Sequence, residues 1–230
     1  MPDYEGLADS VIKGQQQRCV DLTKQAIDEG IGPEIILNKG LIPGMDIVGD
    51  RFRRNIIYVP EVLISARAMK SAMELLRPLL TKTGAKPIGT AVIGTIKGDL
   101  HDIGKNLVGM MWEGAGITVV DLGINNPPEK YINAMKQHDA QIIGMSALLT
   151  TTMVNFKLVT QALEKEGVRD KVKVICGGAP VNANFAKDVG CDAYSPDAAT
   201  AVQVAKFLLG IHNDSSLYKS SGGWVKGTEG

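Results

Sequence analysis

After residue 87 the chain alternates short apolar runs with longer amphipathic ones, and few folds accept that pattern. The runs near 90–95, 117–122, 141–146, 172–177 and 192–194 carry apolar residues, β-branched in most of them. Bounded by turn residues, such runs read as buried strands. Helical periodicity near 105–114, 128–138, 152–166, 181–189 and 197–209 fills the intervals. Strands joined through helices pair in parallel, because each crossover returns the chain to the same end of the sheet. The expectation is an α/β fold whose doubly wound, five-stranded parallel sheet, flavodoxin-like or Rossmann-like, spans residues 88–213. In such a sheet ligands bind at the carboxyl ends of the strands.

Residues 1–84 read differently, with helical periodicity and no strand-like run. Segments centred on Asp9–Lys13, Gln15–Asp28, Pro33–Arg54 and Pro60–Thr81 predict four helices, a small bundle. Gly30-Ile31-Gly32-Pro33 is a stop and a fresh start, and Pro43-Gly44 should kink or divide the third helix. Thr83–Pro87 has the composition of a linker. Residues 214–230 are rich in Ser, Gly and Lys and lack periodicity, so a mobile tail is expected, with Leu217, Tyr218 and Trp224 able to dock it.

Net charge is zero and no Lys/Arg cluster stands out, which gives nucleic-acid binding no electrostatic support. No apolar stretch approaches a membrane span, and Met1-Pro2-Asp3-Tyr4-Glu5 does not read as a signal peptide. The three cysteines, Cys19, Cys176 and Cys191, show no Cys-x-x-Cys spacing and read as reduced core thiols in a cytoplasmic protein.

One of only three histidines, His101, directly follows the first apolar run, in Gly98-Asp99-Leu100-His101-Asp102-Ile103-Gly104. It therefore falls on a loop at a strand's carboxyl end. Asp99, two residues earlier, can fold back onto one imidazole nitrogen and raise the basicity of the other, as a metal ligand requires. His138 and His212 have no partner at metal-ligand spacing. Alone, Asp-x-His-x-x-Gly is a modest signal. Two further elements follow it, with forty-one residues between Gly104 and Ser146-Ala147-Leu148 and twenty-eight between Leu148 and Gly177-Gly178. Each stands at the end of a different apolar run.

That ordered triple resembles the cobalamin-binding motif Asp-x-His-x-x-Gly, Ser-x-Leu, Gly-Gly. Leu41–Phe52 and Tyr58–Leu63 resemble the helical cap that precedes the corrinoid domain of methionine synthase and of small methyltransferase corrinoid proteins. The resemblance runs from about residue 5 to about residue 213 and implies a cap over residues 1–84 and a B12-binding domain over 88–213. It implies cobalamin bound base-off, with His101 Nε2 on cobalt, Asp99 holding Nδ1 and Ser146 extending a Ser146–Asp99–His101 relay. Gly98, Gly104, Gly177 and Gly178 would admit the corrin and its nucleotide tail. Asp102, Ile103, Leu148, Thr150 and Tyr194, with Ser195 beside it, would line the same pocket. Asp102 and Thr150 also suit helix capping. Tyr58 would cover the upper face of the corrin, whereas Val62, Leu63 and Met69 fit the bundle core.

The implied function is a carrier that shuttles a methyl group on cobalt from a substrate-specific methyltransferase to a second one using tetrahydrofolate or coenzyme M. A reductive activase is a further implied partner. The chain shows no catalytic site of its own. A cobalamin-dependent regulator, a mutase-type B12-binding subunit and a cofactor-free interaction module are the alternatives. The first lacks a basic DNA-binding segment here, and the helical cap counts against the second, since mutases normally face their corrinoid with a separate barrel.

Overall fold

The computed structural model describes residues 3–83 and 88–228, which form two compact units. In the first, α1 (Tyr4–Ile12) is opened by Asp3, whose Oδ1 accepts the Gly6 amide at 2.7 Å. The helix α2 (Gln16–Asp28) follows. The third helical segment is one rod in three parts, namely α3 (Pro33–Ile36), a π-helical turn (Leu37–Leu41) and α4 (Ile42–Arg53). The discontinuity expected at Pro43-Gly44 thus falls just upstream of it. Pro43 has no amide hydrogen and its ring crowds the carbonyl four residues back. The chain answers with one wide turn, in which the Ile42 amide reaches Leu37 O. A β-carbon on Gly44 would lie 2.8 Å from Ala8 O, so the glycine lets α4 approach α1 closely. The helix α5 (Val59–Thr83) completes the four rods. Their shared core includes Leu7, Val11, Cys19, Leu41, Val48, Val62 and Met69, all buried. Beyond Thr83 the expected linker lies outside the described residues.

The second unit runs β1 (Thr90–Thr95), α6 (Ile103–Gly114), β2 (Thr118–Asp121), α7 (Pro128–His138) and β3 (Ile142–Ser146). It continues through α8 (Thr150–Met153), α9 (Phe156–Lys165), β4 (Lys173–Gly177), α10 (Ala183–Asp188), β5 (Ala193–Ser195) and α11 (Ala198–Leu208). It ends with α12 (Ser216–Lys219) and β6 (Trp224–Val225). The strand order is β2-β1-β3-β4-β5-β6, a flavodoxin-type parallel core with β6 added antiparallel to β5.

Two expectations change. The sheet has six strands and is mixed, and the segment expected to be a mobile tail supplies the sixth. Its anchor is Tyr218, fully buried, with its ring edge-on to Phe207 at 5.2 Å between centroids. The helix expected at 152–166 is divided at Val154-Asn155 into α8 and α9.

Alternation sorts the strand residues onto two faces. Val92, Ile143, Met145, Val174 and Cys176 join Tyr131, Phe156, Val159 and Leu163 in one core. On the other face the Trp112 ring fills the space left by Gly144 and donates its Nε1–H to Ala201 O at 3.0 Å. The three cysteines are free and buried. Among the described residues no helix is long and apolar enough to cross a membrane.

Candidate functional site

The strand ends bring the three motif elements into one line. Thr95 pairs with Ser146, Ser146 with Gly177, and Gly177 with Ser195 across four adjacent strands. The loop that leaves β1 carries Gly98 to Asp102 and lies where the strand order reverses, between β1 and β3. That reversal splays neighbouring loops apart and opens a crevice.

Asp99 is the centre of this loop. It is fully buried, yet each carboxylate oxygen is well supplied with donors. Oδ1 accepts the His101 amide at 3.0 Å and lies 2.8 Å from His101 Nδ1. Oδ2 accepts the amides of Leu148 at 2.8 Å and Leu149 at 3.2 Å, and the Thr152 hydroxyl at 2.6 Å. Burial alone would push this carboxyl up. The Thr152 hydroxyl, the His101 and Leu148 amides and the His101 ring outweigh it and hold Asp99 well below the usual carboxylate range. Asp99 is therefore an anion and can only accept.

The tautomer of His101 follows. Facing an anionic acceptor, Nδ1 carries the hydrogen, which leaves the Nε2 lone pair available to a metal. The imidazole is half exposed, at 51%, and no hydrogen bond to Nε2 is found among the described residues. The His101 carbonyl accepts the buried Thr95 hydroxyl at 2.9 Å, so the backbone is held as well as the ring. Leu100 and Ile103 flank the imidazole in sequence and are 65% and 80% exposed, and Leu148 is exposed too. An oriented nitrogen among exposed apolar side chains suits a flat, largely apolar metal macrocycle.

The relay differs from the expectation. Ser146 makes no side-chain hydrogen bond to Asp99; the hydroxyl on Oδ2 belongs to Thr152. Ser146 ends β3, whereas the chain must pass Leu149 and enter α8 before a hydroxyl meets the carboxylate. A sequence signal existed in the run Thr150-Thr151-Thr152, but helix capping explains such a run equally well. Thr150 is exposed at the start of α8. Asp102 accepts the Asn106 side-chain amide at 3.0 Å, one helical turn on. Tyr194 pairs with Cys176 on one side and Trp224 on the other and packs at the edge of the core. Tyr58 belongs to the first unit. Its amide donates to Glu61 Oε2 at 3.1 Å before α5, and its ring is exposed.

The glycines divide by what surrounds them. A β-carbon on Gly178 would collide with Ala147 O, and its φ of +129° excludes most side chains. A β-carbon on Gly177 would lie 2.9 Å from Ser195 O. A β-carbon on Gly104 would meet nothing within 4 Å beyond its own helix, so no other described residue demands a glycine there, and the space suits an approaching ligand. Ser195 Oγ is buried without a hydrogen-bond partner among the described residues, in the line of strand ends that holds Ser146 and Gly177. Such an orphan fits a polar nucleotide tail. The residues present fit cobalamin.

A flavodoxin-type sheet with a carboxylate-oriented histidine at its reversal point, preceded by a helical bundle, defines a cobalamin-binding α/β protein. The chain matches the family described as B12 binding domain over residues 4–77 and again over 89–203. It is 40% identical over 213 residues to dimethylamine corrinoid protein 3 of Methanosarcina acetivorans, covering 91% of this chain and 100% of that one. Trimethylamine corrinoid protein 1 of the same organism is 38% identical over 203 residues, covering 87% and 94%. Among solved structures, the methanol:cobalamin methyltransferase complex MtaBC of Methanosarcina barkeri superposes with a TM-score of 0.80 at 30% identity, covering 95% of this chain and 84% of that one. A cobalamin-binding protein of Desulfitobacterium hafniense gives 0.75 at 29% identity, covering 90% and 99%. The chain belongs to the methyltransferase corrinoid proteins, and cobalamin is its cofactor.

Proposed function

We propose that this protein is the methyl carrier of a methyltransferase system, with His101 as the residue that would hold the cobalt of its corrinoid. The observation that carries the reading is the His101–Asp99 pair, a half-exposed imidazole fixed at Nδ1 by a buried anion. Bound cobalamin would supply a cobalt centre able to accept a methyl group and give it up.

The chain's own residues would do the rest. Asp99 holds one tautomer and makes Nε2 a stronger donor. The carboxylate 2.8 Å from Nδ1 fixes the ring, so that Nε2 would be the atom that holds the metal. Thr152 and two amides keep Asp99 ionised throughout. Gly104 leaves room for the corrin, while Ser146, Gly177, Gly178, Thr150, Tyr194 and Ser195 receive the tail.

A methyltransferase is the partner class that the family implies. We assign two in succession, a substrate-specific donor enzyme and an acceptor enzyme using tetrahydrofolate or coenzyme M, with a reductive activase restoring lost carrier. The relatives are named for dimethylamine, trimethylamine and methanol, which supports a small methylated donor. Free, buried thiols support a cytoplasmic setting.

Electron paramagnetic resonance of the cob(II)alamin form tests the reading. Wild type should show a single axial nitrogen from the protein, and His101→Ala should lose it. Retention of that nitrogen in His101→Ala would refute the assignment.

A further inference from the structure

We propose that Asn125, on the loop between β2 and α7, is a positioning residue for the ligand loop. The proposal rests on His101 being the cobalt ligand. Asn125 touches the His101 loop twice. Its side-chain Oδ1 accepts the Gly98 amide at 2.8 Å, and its own amide donates to the Asp99 carbonyl at 3.1 Å. The two bonds bracket the peptide that leads into Asp99.

The backbone of Asn125 is unusual in a way that serves these bonds. Its φ is +55°, and the other described non-glycine residues with positive φ are Asn55 and Asp139. Those two follow helix C-termini, α4 and α7, where left-handed residues end helices as a matter of course. Asn125 ends no helix. Asparagine tolerates the left-handed region better than most residues, and here that region lets amide and side chain reach the same loop. Asn126 fastens the turn from behind, its amide and Nδ2 both donating to Thr95 O, at 3.0 and 2.9 Å.

The ligand loop is thus tied to two separate segments. Leu148, Leu149 and Thr152 hold the Asp99 carboxylate, and Asn155 Nδ2 holds the Lys97 carbonyl at 3.0 Å. Asn125 holds the backbone on which that carboxylate is mounted. Without it Asp99 stays ionised, but the Nδ1 bond no longer aims Nε2 in one direction. Ligand geometry tolerates errors of only about 0.5 Å, so looseness there lowers the ligated fraction.

Two variants separate side chain from backbone. Asn125→Gly keeps the left-handed turn and removes the acceptor, while Asn125→Asp keeps both. In the cofactor-free protein, amide exchange at Gly98 should quicken about fivefold in Asn125→Gly, as expected for one lost hydrogen bond, and return in Asn125→Asp. In the cobalamin-loaded protein the nitrogen-ligated fraction of cob(II)alamin should fall several-fold in Asn125→Gly at undiminished total corrinoid, and again recover in Asn125→Asp. Unchanged Gly98 exchange overturns the proposal. Faster exchange with an unchanged ligated fraction overturns it too, since the tie would then not serve the ligand, and so does failure of Asn125→Asp to restore both. Failure of the underlying reading is distinguishable, because wild type itself would then lack a nitrogen signal that His101→Ala abolishes.

Discussion

Gly178 and Gly104 are small for opposite reasons, and substitution should tell them apart. At Gly178 the left-handed backbone and the nearby Ala147 carbonyl leave no room for a side chain. Gly178→Ala should cost more than about 4 kcal/mol in urea unfolding, with or without cofactor. Gly104 stands near the start of α6 with open space around it. Gly104→Ala should leave the cofactor-free protein as stable or up to about 1 kcal/mol more so. The same change should weaken cobalamin binding about tenfold in a direct titration. A second contrast concerns the Asp99 carboxylate. Thr152→Ala removes the only side-chain hydroxyl on Oδ2 found among the described residues and should cost about 1.5–3 kcal/mol, because that bond goes to a buried anion. Thr152→Ser should restore most of it. Asp99 and His101 were legible in the sequence because a two-residue spacing on a strand-end loop is a local relation. Thr152 was not, since fifty-three residues separate it from Asp99 and only the turn into α8 brings its hydroxyl to the carboxylate.

Among the elements, those of strong period were easy to read and those of no period were not. Strands β1, β3 and β4 are near-continuous apolar runs, as strands buried on both faces must be. A two-residue strand such as β6 has no period to detect, and the polar segment around it reads as tail. Two of its side chains, Tyr218 and Val225, are buried. Tyr218 rests on Phe207 of α11 and places Trp224 and Val225 beside Tyr194 and Ala193. Tyr218→Ala should therefore cost about 3–5 kcal/mol and lower the thermal midpoint, a loss that a disordered tail could not produce. The π-helical turn is a similar case. Proline in the pattern announces an interruption, but the neighbouring carbonyls decide whether the rod kinks or widens, and here it widens at Leu37–Leu41.

For the molecule as a whole, each unit buries a core of its own, and every residue that holds or orients the proposed ligand lies in the second. A fragment of residues 88–230 should therefore bind cobalamin and show the His101 nitrogen in its cob(II)alamin spectrum, while methyl transfer with a partner enzyme should fail. Loss of binding in a fragment that is demonstrably folded would place part of the site in the bundle. The sequence by itself determined the class of both units, the parallel pairing of the first five strands and the placement of the Asp99–His101 loop at a strand end. These depend on hydrophobic period and on spacing along the chain, which a linear reading can follow. The tertiary structure alone decided which hydroxyl completes the Asp99 network, that Asn125 ties the loop, and that the last residues extend the sheet. Those outcomes depend on strand register and on donors far apart in sequence meeting in space, and no local pattern encodes such meetings.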